Sequence, residues 1–306
     1  MASLQEAALR AHRREGIARS CITLCGVGAA LVPFCIGAFL ILQGSSTFTQ
    51  FQHGIGEFLF STQWAPNDTA AGGGAVGAGI FIAGSIMTCI LALLFSLPIS
   101  MASAIFLSEI APPWGRLLIR PAVELFVGIP SVVYGWIGLT VLVPLLRSLF
   151  HTQFGFSVLA ASCVLAVMIF PTITSMAADA LLAVPKDWRS ASYALGATRW
   201  ETIYRVVIPA ARTGIFTGIV LGLARALGEA LAVAMVIGQM KVMPTSLLSP
   251  ASTLTTVIAS DMGGAMEGGE YSAALWTMAL ILFLFSSLFI YLIHRIADAS
   301  QLKEVS

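Results

Sequence analysis

The chain has 306 residues, 58% of them hydrophobic and 10% charged, with a formal net charge of +1 and a mean hydropathy of +0.90. So little polar surface excludes a soluble globular domain, and the near-balance of charge gives no footing for a nucleic-acid partner. An all-α integral membrane protein is expected.

A helix needs about 20 apolar residues to cross a ~30 Å hydrocarbon core at ~1.5 Å rise per residue. The first such run, residues 22–42, follows Arg10, Arg13, Arg14 and Arg19. It exceeds the ~7–15 residues of a signal core and lacks a small-residue cleavage site, so it reads as a retained anchor. A loop over 44–74 ends in "GGGAVGAG". No Lys-Ser or Lys-Thr follows these glycines and no strand-like run precedes them, so a phosphate cradle is not expected. A flexible lead-in with small residues for close helix packing is. The second run lies within 69–108, and "SEIAPPWGRLLIR" after it is expected to be a short turn stopped by its prolines.

The third run, 125–146, opens with "ELFVGIPSVVYGWIG". A proline inside a span frees a carbonyl that only protein or a water-filled cavity can satisfy. The helix bearing Gly128, Pro130, Ser131, Tyr134 and Gly135 is therefore expected against a partner or a pathway, with a kinked packing helix as the plainer alternative. A fourth run covers 152–178, and a fifth, 213–240, is interrupted only by Arg225 and Glu229. Each charge costs roughly 2.5–3.5 kcal/mol at a helix centre, so both are expected to face protein or water. Four residues apart, they share a helical face, and a self-neutralising structural pair is the alternative reading. The loop that follows is expected to hold a short interfacial helix. Tyr271 and Trp276 mark the boundary of the sixth run, 271–293.

With the N-terminus inside, the inside segments hold Arg10, Arg13, Arg14, Arg19, Arg116, Arg120, Lys186, Arg189, Arg199, Arg205, Arg212, Arg295 and Lys303. The outside segments hold only Arg147 and Lys241. This bias predicts six spans with both termini cytoplasmic. The five cysteines lie in or beside apolar runs, and Cys21 and Cys25 share a helical face without His or acidic neighbours, so no metal site is expected. The four histidines, His12 and His294 among them, are scattered.

The inside stretch "AVPKDWRSASYALGATRWETIYRVVIPAAR" reads as two short helices. Pro185 suits the start of the first, Gly196 the left-handed position past its end, and Thr198 with Glu201 a capping box for the second, which Pro209 is expected to end. Tyr193, Leu195, Trp200, Ile203 and Tyr204 are expected to be exposed on this elbow. A helix lying on the membrane surface needs neither a glycine joint nor a capped restart, whereas a docking element for a cytoplasmic partner uses both.

Within it, "SASYALGATRWETIYRVVIPAA" resembles the EAA loop of ABC importer permease subunits: acid-Ala-Ala, three residues, Gly, and a later hydrophobic-Pro. Gly196 and Ile208-Pro209 match; Ser190 occupies the usual acidic position, Ala191 the first alanine and Ser192 the second. "GIPSVVYGWIGL", "ARALGEALAVAMVIGQ" and "PTSLLSPASTLTTVIAS" are similar to segments of the membrane subunits of phosphate ABC importers and come in the same order. The resemblance covers about 75–295 and implies an ABC importer type-1 permease fold of six transmembrane helices with cytoplasmic coupling helices. It implies a division into a cytoplasmic segment 1–20, a first span and external loop 21–74, a permease domain 75–295 and a cytoplasmic tail 296–306, in a bacterial inner membrane.

It further implies that Ser190, Ala191, Ser192, Gly196, Thr198, Glu201, Ile208 and Pro209 couple to a separate ATPase, and that Arg225 and Glu229 line the substrate pathway. An Arg fork suits phosphate, while a carboxylate accepts a hydrogen bond from protonated phosphate and repels ionised sulfate. The partners implied are two ATP-binding subunits carrying ATP and Mg, a second related permease subunit and an external phosphate-binding protein. The chain has no Gly-x-x-x-x-Gly-Lys-Ser/Thr, so no nucleotide chemistry and no cofactor of its own is expected. A permease for another oxyanion and an ion-coupled secondary transporter remain as alternatives. An intramembrane enzyme would need a nucleophile with a base or a metal cluster, and the sequence offers neither.

Overall fold

A computed structural model describes the backbone of residues 2–69 and 72–304, and the side chains of residues 15, 18–69, 72–292 and 295. The sequence readings on Arg10, His12, Arg13, Arg14, His294, Lys303 and the tail 296–306 fall outside the described side chains. In hydrocarbon a backbone must satisfy its own N–H and C=O groups, and helix is how this chain does so. α1 is Ala2–Gly44, α2 Ser46–Thr49 and α3 Ile55–Phe60. Strands β1, Trp64–Ala65, and β2, Ala75–Val76, form a small antiparallel pair with Trp64 opposite Val76. Then come α4, Gly79–Ile105, and α5, Pro113–Gly128, joined by a π-helical turn, Phe106–Ile110. α6, Ser131–Ile137, continues through a second π-turn into α7, Val143–Phe150. α8 is Val158–Ala183, α9 Lys186–Ala194 and α10 Arg199–Thr202; a third π-turn, Ile203–Val207, leads into α11, Ile208–Gly228. α12 is Leu231–Ile237, α13 Leu254–Asp261 and α14 Glu270–Glu304.

Among the described residues six helical stretches are long and apolar enough to cross a membrane: Ala18–Thr49, Gly79–Ile110, Ser131–Phe150, Val158–Ala183, Arg199–Gly228 and Glu270–Leu292. α8 is the central helix, with Ile169, Ile173, Ala177 and Leu181 wholly buried. It is capped by Ser157, whose hydroxyl accepts from Ala160 N at 3.1 Å. Three glycines four residues apart let α11 lie directly on it. A Cβ at Gly218 would stand 2.8 Å from Met176 Cβ, one at Gly222 2.7 Å from Ile173 Cγ1, and Gly214 faces Ala180 just as closely. Small residues at such spacing are how helices approach in lipid, where hydrophobic exclusion gives no drive to associate.

Six expectations are corrected by the fold. Pro130 is not inside a kinked helix: it caps α6, and with extended backbone at Ile129 (ψ 128°) and Pro130 (ψ 138°) it separates two helices. α5 runs along α8, with Arg120 on Asp179 at 2.9 Å near one end and Phe126 beside Ala166 and Phe170 at the other. The turn after α4 is shorter than expected, because Pro113 already opens α5 with its fixed φ and needs no N–H in the first turn, which puts Arg116 and Arg120 on that helix. Pro209 does not end a helix. The missing N–H and the ring clash it imposes are absorbed by the preceding π-turn, and the chain runs on into α11. Ile203, expected to be exposed, is buried in that turn at 2%.

The helix in the last long loop, α13, is buried rather than interfacial. Leu254 to Val257 pack inside, Leu254 N donates to Ser85 Oγ at 2.9 Å, and Gly84 of α4 leaves room for the Ser252 carbonyl. The glycines of "GGGAVGAG" form no flexible lead-in either. Gly73 N and Gly74 N donate to Glu270 at 2.9 Å, Asn67 N does so at 2.8 Å, and His53 Nε2 lies 2.8 Å from Oε1. Backbone N–H groups turned inward in this way make a nest for an anion, here the wholly buried carboxylate that opens α14.

Candidate functional site

Two broken helices meet beside Arg225. The first break, Ile129–Pro130, leaves orphan carbonyls at the end of α5, and Tyr134 O–H donates to one of them, Phe126 O, at 2.7 Å. The second ends α11 at Gly228, where Glu229 turns extended (φ −79°, ψ 120°) before α12 begins. The segments touch: a Cβ at Gly135 of α6 would lie 2.8 Å from Ala232 Cα of α12, so the absent side chain is what lets them pack. Gly138 faces Val164 and Val236 in the same seam. Tyr134 is buried, Ser131 half-buried, and Gly128 and Pro130 are exposed. The helix opened by Pro130 thus packs on a broken neighbour, α12, and Tyr134 shares one buried cluster with Ala226 and Leu227, which flank the end of α11.

Arg225 and Glu229 do not form the face-sharing pair expected of an unbroken helix, and among the described residues no ion pair joins them. Leaving the helix at Glu229 turns its carboxylate forward, where Oε1 accepts from Ala232 N at 3.1 Å and so serves the first turn of α12. The Glu229 carbonyl accepts from Thr255 Oγ1 of α13 at 2.9 Å. Arg225 Nη1 donates to Thr172 Oγ1 of α8 at 3.3 Å. A guanidinium carries five N–H donors, and Thr172 is the one protein acceptor this half-buried group meets among the described residues. The remaining fork is free to grip an oxyanion, and Glu229 Oε2 is free to accept.

The elbow lies at the other end of α11. Arg225 is about 25 Å from Ile208 along the helix at ~1.5 Å per residue. Gly196 takes φ +84°, its N–H donates to Tyr193 O at 2.9 Å and Ala197 N to Ser192 O at 3.2 Å, the paired bonds of a Schellman turn. Glu201 N donates to Thr198 Oγ1 at 3.3 Å and Thr198 N to Glu201 Oε2 at 2.9 Å, closing the capping box. Ser190 bonds within α9, to Lys186 O, and Ala191 is exposed, while Ser192 reaches Thr202 at 2.9 Å. Ile208 is half-buried and Pro209 exposed. Leu195 is 89% exposed, with Trp200 and Tyr204 also bare, so among the described residues nothing covers the apolar side chains of the elbow.

Three groups escape sequence reasoning: Thr172, Glu109 and Glu270. Thr172 sits in an apolar run and only the fold brings it to Arg225. Glu109 and Glu270 carry a usable signal, each being an acid at the edge of an apolar span.

A half-buried cationic fork beside two helix breaks, joined by one long helix to an exposed elbow, suits a transport protein's membrane subunit. The chain belongs to the binding-protein-dependent transport system inner membrane component family, whose model matches residues 96–302. It is 46% identical over 282 residues to a probable ABC transporter permease protein, YqgH, of Bacillus subtilis, covering 92% of this chain and 90% of that one. It is 38% identical over 277 residues to the phosphate transport system permease protein PstC of Xylella fastidiosa, covering 84% and 83%. Among solved structures, a bacterial alginate ABC transporter matches with a TM-score of 0.61 at 15% identity, over 92% of this chain and 96% of that one. The MetNI methionine ABC transporter matches at 0.54 and 21%, over 71% and 92%.

Proposed function

We propose that this chain is a permease subunit of an ATP-driven phosphate importer, forming part of the translocation pathway. The observation that carries the reading is the free guanidinium of Arg225 at the junction of two broken helices, in a chain with PstC relatives. Broken helices at mid-membrane are where transporters hold substrate, and an Arg fork matches phosphate oxygens two at a time. Glu229 accepts a hydrogen bond from the P–OH of hydrogen phosphate, a donor that ionised sulfate lacks.

Both termini lie in the cytoplasm, so the elbow faces inward and seats its apolar side chains in a separate ATPase, where ATP and Mg are bound. Two such ATPases, a second related permease subunit and an external phosphate-binding protein complete the assembly. Closure of the ATPases around ATP moves the elbow, and α11 carries that movement to Arg225, alternating access to the site. Residues 75–295 serve as the permease domain, and the chain itself catalyses nothing. Cells depleted of ATP but holding a membrane potential are predicted to lose uptake through this system. Uptake sustained by the potential alone would point to ion-coupled transport instead.

A further inference from the structure

Through α9 the elbow is fastened to the body by Arg189. α9 buries no residue, and only Arg189 and Ser192 are even half-buried along it. Ser192 ties it to Thr202 of α10, whereas Arg189 reaches out of the elbow altogether. Arg189 Nη2 lies 2.7 Å from Glu109 Oε1, and Arg189 Nε donates to Oε2 at 3.4 Å, a two-pronged grip on the π-turn that ends α4. The same guanidinium donates to Leu181 O at 2.8 Å and to Val184 O, the last turn of α8. With side chains 16% and 10% exposed, the pair is largely shielded from the water that weakens surface ion pairs.

The other arm of the elbow holds the same joint. Arg199, which opens α10, donates to the Glu109 carbonyl, and Arg116 of α5 donates to the Ser108 carbonyl at 2.6 Å. A helix end leaves carbonyls without partners, and here arginines from both arms and from α5 supply them. Beyond the joint only Ala111 and Pro112 precede α5. The last turn of α5 holds Phe126, whose carbonyl accepts from Tyr134 of the first broken helix.

We propose that Glu109 is a positioning residue that carries movement of the elbow into α5, and so to the first broken helix, in parallel with the route through α11. The proposal rests on the reading that the elbow receives an ATPase. The test is hydrogen–deuterium exchange on the purified complex with and without ATP, read separately over the elbow, 186–204, and over 106–128. In the wild-type complex ATP changes exchange in both segments, by at least about fivefold in 106–128, the low end of coupling factors between linked sites. In Glu109→Gln the elbow still responds and the response of 106–128 falls below about twofold. Arg189→Lys keeps the charge but loses the fork, so it gives the same split and covers the case in which Glu109→Gln does not assemble. An undiminished response of 106–128 in both variants overturns the proposal. Loss of both responses together also overturns it, because the pair then merely holds the elbow in place. An elbow that ignores ATP in the wild-type complex sinks the docking reading, and this proposal with it, whether or not phosphate is the substrate.

Discussion

At the scale of single residues, a charge in this chain is placed by what it can reach. Arg225 and Glu229 were legible as costly intramembrane charges, but their geometry was not, because a sequence does not show that the helix stops between them. Glu229 serves α12 with one oxygen, so Glu229→Gln, which keeps an acceptor there, is expected to assemble normally. Phosphate uptake should fall and discrimination against sulfate relax; wild-type uptake and selectivity would leave Glu229 as a helix cap alone. Glu270 teaches the opposite lesson. Two of its three backbone donors, Gly73 and Gly74, come from a glycine run that, read by itself, looks merely flexible. Hydrogen bonds to a charged group contribute ~1.5–3 kcal/mol each, so Glu270→Ala should free the loop at Asn67, Gly73 and Gly74 and lower the melting temperature. Limited proteolysis of that loop is the check, and unchanged resistance would contradict the nest as its anchor.

At the scale of elements, punctuation was read well where it was local and badly where neighbours decided. Gly196, Thr198 and Glu201 form the turn and box their spacing predicts, since each motif closes within a few residues. Pro130 and Pro209 did not behave alike: one separates two helices and the other rides in a continuous one, according to whether a π-turn or a partner's hydroxyl satisfies the backbone. α13 looked interfacial because nothing in its sequence announces that α4 offers Gly84 and Ser85 to receive it. At Gly196, φ +84° is strained for a β-branched residue by ~1–3 kcal/mol. Gly196→Val should therefore leave the protein in the membrane but weaken ATPase co-purification or transport-coupled hydrolysis, and normal coupling would count against a docking elbow. The α8–α11 contact gives a separate test. Gly218→Leu must overpack against Met176 at a cost of ~1–3 kcal/mol, which a melting curve in detergent should register.

At the scale of the whole molecule, length and hydropathy sufficed for six spans, and the Lys and Arg distribution predicts their direction. Some of those same arginines proved to clasp the Glu109 joint as well, a role that counting charges conceals. Reporter fusions at Asn67 and Met262 should report the outside, and fusions at Trp114 and Arg199 the inside; Arg199 outside would remove the elbow from any cytoplasmic ATPase. The central claim is that Arg225 grips phosphate in a pathway driven by ATP. Its most direct test is uptake of radiolabelled phosphate into proteoliposomes holding the complete complex, with and without ATP, for the wild type and Arg225→Gln, with assembly checked on the same samples. ATP-dependent uptake is expected from the wild type and none from an equally assembled Arg225→Gln complex. Undiminished uptake by that variant would contradict the claim.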